Sequence, residues 1–202
     1  MATYKGTVGT TVVNYAGNYP GAVDGELWYD STNKDFKYQY ANVTAAGAWS
    51  AGNSMNTARE QLAGNGLQTA ALAIGGMTST EVANTEAYNG TSWTEVNDLT
   101  TARRTLASAG TSTSALAYGG NSTTAIVAVT EKWNGTNWTE VNDLNTARKG
   151  LSGAGTDNEA VIAIGGENPS VDVANTETWN GTNWTEVNDL NSARKFFAAA
   201  GT

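Results

Sequence analysis

The chain has 202 residues and a formal net charge of −8, with a pI near 4.4. That balance argues against nucleic acid and anionic membrane surfaces as partners, and solubility is enough to account for it. The absence of Cys and His excludes disulfide frameworks, thiolate chemistry, His-dependent triads and His metal sites.

Residues 1–24 (MATYKGTVGTTVVNYAGNYPGAVD) lack a basic start followed by an apolar run, so they do not read as a secretory signal. No stretch reaches the roughly 18 apolar residues of a spanning helix. The expectation is synthesis in the cytoplasm with no export and no membrane insertion. TVGTTVVNY has the composition of one strand. The segment has two readings, an arm that anchors to a neighbouring subunit or larger assembly, or a frayed terminus. Under the first, Tyr4, Tyr15 and Tyr19 are the anchoring candidates.

From Gly25 the text becomes strand-like: ELWYD, a turn at STNKD, FKYQYANV, a turn at TAAG, then AWSAGNSM. Thereafter it repeats. Gly-Gly pairs fall at 75–76, 119–120 and 165–166, Trp at 49, 93, 138 and 184, and Arg at 59, 103, 148 and 194. The Trp and Arg steps are both 44, 45 and 46, and one period kept by independent residue types marks a repeat architecture. Fuller copies cover 57–100, 101–145 and 146–191. A partial copy covers 25–56, and Ser192–Thr202 (SARKFFAAAGT) reads as a first strand alone.

Each copy carries four strand signals, in the second copy Thr105–Ala109, Ser114–Tyr118, Val129–Trp133 and Asn137–Val141. Asn134-Gly135 between two aromatic-bearing strands predicts a two-residue type I′ hairpin, with both residues at positive φ. Four short strands in about 45 residues is the unit of a β-propeller blade. Residue size supports this. The first strands are small (LASAG, LSGAG, FAAAG) and the fourth carry Trp93, Trp138 and Trp184, as a wedge widening outward requires.

The predicted fold class is therefore all-β, a propeller of about four blades of four short antiparallel strands, domain 25–202 behind the arm at 1–24. Strands from 25–56 and the closing strand 192–202 make one composite blade, which removes exposed sheet edges. A piece cut from a longer array is the competing reading.

The Gly-Gly, the aromatic at Tyr88, Trp133 or Trp179, and the following Trp and Arg resemble the kelch repeat over about residues 57–202. The short period, the Asn-Gly-Thr hairpin and the NTE phrase resemble kelch-like repeats in structural proteins of tailed, especially marine, bacteriophages. GELWYDSTNKDFKYQY is similar to short modules of phage fibre proteins. The resemblance implies a non-enzymatic virion protein (fibre, decoration or host contact), present in many copies and bound to other virion proteins through residues 1–24. A surface or secreted carbohydrate-binding lectin is the alternative, and a glycan hydrolase the third.

No catalytic residue, metal or cofactor is expected. Copper-dependent kelch oxidases need the His and Cys this chain lacks. Arg59, Arg103, Arg148 and Arg194 recur once per copy, as do Glu86, Glu131 and Glu177, so they read as scaffold pairs rather than a catalytic set. Glu95, Glu140 and Glu186 read as solvated strand faces. Asp98, Asp143 and Asp189 read as turn residues bonding nearby N–H groups, and the Asp30–Asp35 loop as a hairpin. Asn89, Asn134 and Asn180 match a glycosylation acceptor pattern that the hairpin explains without glycan. The varying positions follow each Gly-Gly: Thr78, Ser79 and Glu81; Asn121, Ser122 and Thr123; Glu167, Asn168, Ser170 and Asp172. Varied polar loops on a constant frame are candidate contacts for a host glycan or protein, or solvent-exposed drift.

Overall fold

The computed structural model describes residues 3–5, 11–17, 19, 26–38 and 51–201. The chain divides into two compact units, Met1–Ala51 and Gly52–Thr202. Trp49 and the side chain of Tyr4 lie outside the described residues.

In the first unit β1 (Thr3–Lys5), β2 (Thr11–Tyr15), β3 (Leu27–Asp30) and β4 (Asp35–Tyr38) form one sheet in that order. β1 and β2 are antiparallel. β2 runs parallel to β3, with Val13 opposite Trp28 and Tyr15 opposite Asp30. The predicted strand in TVGTTVVNY is present, and the segment read as an anchoring arm or a frayed terminus contributes two strands to a sheet. The predicted β3–β4 hairpin is also present. Asp30 caps it, accepting from the N–H of Gly17 at 2.8 Å, of Thr32 at 2.9 Å and of Asn33 at 3.3 Å, and from Asn33 Nδ2 at 2.6 Å. Burial pushes the Asp30 carboxyl up, but these donors outweigh it and hold the pKa at about 2.

The second unit contains three four-stranded antiparallel meanders. The first comprises β5 (Ala63–Leu67), β6 (Ala70–Ile74), β7 (Thr85–Tyr88) and β8 (Trp93–Val96). The second comprises β9 (Ala107–Gly110), β10 (Ala115–Tyr118), β11 (Thr130–Trp133) and β12 (Trp138–Val141). The third comprises β13 (Ser152–Gly155), β14 (Val161–Ile164), β15 (Thr176–Trp179) and β16 (Trp184–Glu186). These are the predicted strands to within two or three residues. β9 neighbours both β5 and β13, so the small first strands are the ones that crowd together. A Cβ on Gly153 would come within 1.9 Å of Tyr118 Oη, which is why that strand must stay small.

Strand alternation then builds two cores. On β10, Ala115 and Ala117 join the cluster with Leu72, Ile74, Trp133 and Trp138. Leu116 and Tyr118 join the cluster with Val161, Ala163, Trp179 and Trp184. Successive residues face opposite sides of a strand, so the middle sheet is buried on both faces. Two of the three fourth-strand Trp residues, Trp138 and Trp184, bridge sheets, whereas Trp93 packs on Tyr88 of its own sheet. Trp138 Nε1 donates to Thr85 Oγ1 of the preceding sheet and Trp184 Nε1 to Thr130 Oγ1, both at 3.1 Å.

Each double glycine is a joint between successive repeats. Gly120 N donates to Arg148 O of the next repeat at 2.9 Å. Gly119 sits at φ +64°, and a Cβ there would lie 2.6 Å from the same carbonyl. Left-handed backbone plus close approach leaves only glycine.

Two sequence expectations need correction. The Asn-Gly turn is a four-residue loop between the paired Trp133 and Trp138, not a type I′ turn. Gly135 alone has positive φ, at +91°, and Asn134 Oδ1 accepts from Thr136 N at 2.9 Å and Asn137 N at 2.8 Å. The side-chain cap stabilises Asn134 without left-handed backbone. Secondly, Asp98, Asp143 and Asp189 accept from the N–H of Thr85, Thr130 and Thr176, 13 positions upstream at the start of the third strand. They pin two strands together rather than capping their own turn. Residues 192–201 carry no strand. No sheet edge among the described residues pairs with them, and an unpaired segment makes no ladder.

Candidate functional site: the rim where the first strands start

The recurring charges are consumed by the frame. Arg103 and Glu131 are fully buried and meet at 3.0 Å. Arg103 also donates to the carbonyls of Gly119 at 2.9 Å, Ala117 at 3.3 Å and Val129, while Glu131 accepts from Thr100 N at 2.7 Å and Thr101 N at 3.4 Å. Arg148 with Glu177 at 2.9 Å and Arg59 with Glu86 at 3.2 Å repeat the arrangement. Burial lowers the pKa of all three guanidinium groups, and their carboxylate partners oppose the shift. Arg194 differs, its side chain being exposed with one weak hydrogen bond, Nε to Ser192 O at 3.4 Å, among the described residues.

The residue after each Arg is Glu60, Arg104, Lys149 or Lys195. These positions line the end of the sheets from which the first strands start. Three of them bridge to the segment after the double glycine, Glu60 with Met77, Arg104 with Asn121 and Lys149 with Glu167. The next residues, Gln61, Thr105, Gly150 and Phe196, all have left-handed backbone, with φ from +51° to +60°. Their peptides form a relay: Phe196 N donates to Gly150 O, Gly150 N to Thr105 O and Thr105 N to Gln61 O, each at 2.8 Å. Sequence reading missed this relay, because Gln, Thr, Gly and Phe share no side-chain property and only Gly150 signals the conformation.

The varying loops meet this rim unequally. Glu81 of the first loop pairs with Arg104 at 3.0 Å. Glu167 and Asp172 of the third pair with Lys195 at 2.7 and 3.1 Å, and these contacts raise the Lys195 pKa. The second loop, Asn121 onward, contains no acid, and Lys149 has no carboxylate within ion-pair distance among the described residues. A recess of about 90 Å³ opens there, lined by Gln61, Arg104, Thr105, Asn121, Lys149 and Phe196. It adjoins a second of about 220 Å³ that shares Gln61, Thr105 and Phe196 and adds Leu62, Leu106 and Phe197. The residues of a signal were present in the sequence as the series Glu, Arg, Lys, Lys, but not their convergence.

Of the other candidate loop residues, Thr78, Ser79, Thr123, Ser170 and Asp172 are exposed and Glu81, Asn121, Ser122, Glu167 and Asn168 half-buried. Asn168 Oδ1 is occupied by the N–H of Ser170 and Val171, both at 2.9 Å, and Ser122 Oγ by Ala125 N at 3.3 Å. In the first unit, Tyr15 and Tyr19 are half-buried and their rings meet in a tilted contact at 5.3 Å, with Tyr19 6.4 Å from Trp28. Their rings pack within their own unit.

No family model matches the chain, and no curated protein is similar to it.

Proposed function

We propose that this chain is a non-enzymatic structural protein of a tailed-bacteriophage particle, a fibre, decoration or host-contact protein, built as a kelch-like β-propeller. On this reading the three meanders are consecutive blades of a propeller of about four. The observation that carries the display role is the fate of the repeated polar side chains. The buried Arg–Glu pairs and the Asp caps are all spent on joining strands. That leaves the variation to the loops after each double glycine, a division suited to presenting a surface. β1 is the outermost strand of its sheet, which suits strand addition to other virion proteins.

The test is peptide mass spectrometry on purified phage particles from the source culture. Recovery in fixed proportion to the major virion proteins is expected. Absence from particles with recovery in the cell-surface fraction would overturn the virion reading in favour of a surface lectin. The exposed hydroxyl groups of Thr78, Ser79, Thr123 and Ser170 support that second reading, and a glycan panel tests it directly.

A further inference from the structure

We infer that the recess beside Lys149 binds the carboxylate of a sugar acid of the uronate class. The first ground is the charge pattern along the rim. Three equivalent cations follow the scaffold arginines. Arg104 is neutralised by Glu81 and Lys195 by Glu167 and Asp172. Lys149 faces the one loop without an acid. Asn121 occupies the register position that Glu167 occupies one repeat later, since Asn121 bridges to Arg104 as Glu167 bridges to Lys149. The frame therefore provides a carboxylate position that the second loop leaves to an incoming group.

The second ground is the shape and chemistry of the space. With Arg104 offset by Glu81, the recess carries an excess of one positive charge, which suits a monoanion. Its other polar lining is amide and hydroxyl, from Gln61, Asn121 and Thr105. Arg104 Nη1 reaches Gln61 Oε1 at 3.3 Å, turning the Gln61 amide nitrogen into an available donor. The adjoining recess mixes polar groups with the apolar side chains of Leu62, Leu106 and Phe196, the last of which is 65% exposed. An apolar wall with a few converging polar groups is the composition of small-ligand sites. A pyranose has C–H faces for Phe196 and hydroxyls for the amides. Its C6 carboxylate supplies what Lys149 lacks. The inference is independent of the particle role, because it concerns the purified chain alone.

Calorimetric titration of the full chain with D-glucuronate and with D-glucose tests it. Glucuronate should bind saturably at one site, weaken as salt rises, and exceed glucose by about tenfold or more, the worth of one charge-assisted contact. Lys149→Gln should cut glucuronate affinity by a similar factor with an unchanged unfolding midpoint. Asn121→Glu should abolish binding by satisfying Lys149 internally, while Asn121→Gln retains it. Glucuronate binding no tighter than glucose, no binding at millimolar ligand, or full affinity in Lys149→Gln would each overturn the assignment, whatever particle mass spectrometry finds.

Discussion

Arg103 and Arg194 occupy the same place in the repeat, and the structure predicts opposite outcomes for replacing them. Arg103→Met removes a guanidinium that is fully buried, bonded to three carbonyls and 3.0 Å from Glu131. The Glu131 carboxylate then stays buried with only the Thr100 and Thr101 N–H groups as donors. Breaking a buried pair from one side costs about 3–5 kcal/mol. For a unit of this size each kcal/mol moves the melting midpoint by ~2–4 °C, so a drop of roughly 6–20 °C is expected. Arg194→Met touches an exposed side chain and should stay within about 0.5 kcal/mol. The double variant Arg103→Met with Glu131→Leu should recover part of the loss, because no lone charge remains buried. Differential scanning calorimetry, with urea unfolding followed by both circular dichroism and Trp fluorescence, reads all three and checks that the probes coincide. Equal losses at Arg103 and Arg194, a loss under about 1 kcal/mol at Arg103, or no recovery in the double variant would refute the scaffold role.

Gly119→Ala places a Cβ 2.6 Å from Arg148 O on left-handed backbone and should cost about 1–3 kcal/mol. Gly52→Ala, with open space around it, should be neutral in the same melts. Trp138→Phe should lose ~1 kcal/mol through its bond to Thr85. A double-mutant cycle with Thr85→Val isolates that term, and zero coupling would remove the bridge between sheets from the account. Asp30 has a folded pKa of about 2 against an ordinary 3.8. Its contribution is therefore complete above the unfolded value and disappears as pH falls from about 3.8 through about 2. A carboxyl NMR titration should place Asp30 near the lower figure, and Asp30→Asn should remove this part of the acid sensitivity.

The repeat legible in the sequence fixes most of the second unit, and the reason is physical. Trp138, Arg103 and Gly119 each make contacts that only their own residue type satisfies, so each recurs and can be counted. What escaped was backbone-determined. The relay through Gln61, Thr105, Gly150 and Phe196 uses N–H and C=O groups that every non-Pro residue owns, and leaves no compositional trace. The Asn134 hairpin was misread because Asn-Gly serves two turn geometries, and the side-chain bonds to Thr136 and Asn137 decide between them. The parallel pairing of β2 with β3 lay in non-repeating text, where no second copy fixes the register. The candidate site divides the same way. Asn121 was reachable as a variable loop residue, whereas Lys149 became informative only once its neighbours proved to be neutralised.

A repeat architecture changes how a functional residue is recognised. In a single-copy fold an Arg–Glu pair buried at 3.0 Å would be a fair candidate for chemistry. Here the same pair appears at Arg59, Arg103 and Arg148 with near-identical partners, and three sites in phase make one structural device. Selection for a ligand must therefore show as a break in phase. Arg194 breaks phase outside the three complete sheets, where its side chain is exposed, which needs no ligand to explain it. Lys149 breaks phase in the interior, between two copies whose equivalent cations are both paired. The frame on either side of it is intact, so the missing counter-charge belongs to the loop. An interior vacancy of charge, next to a recess and on an otherwise acidic chain, is the position where a bound anion explains most with fewest assumptions.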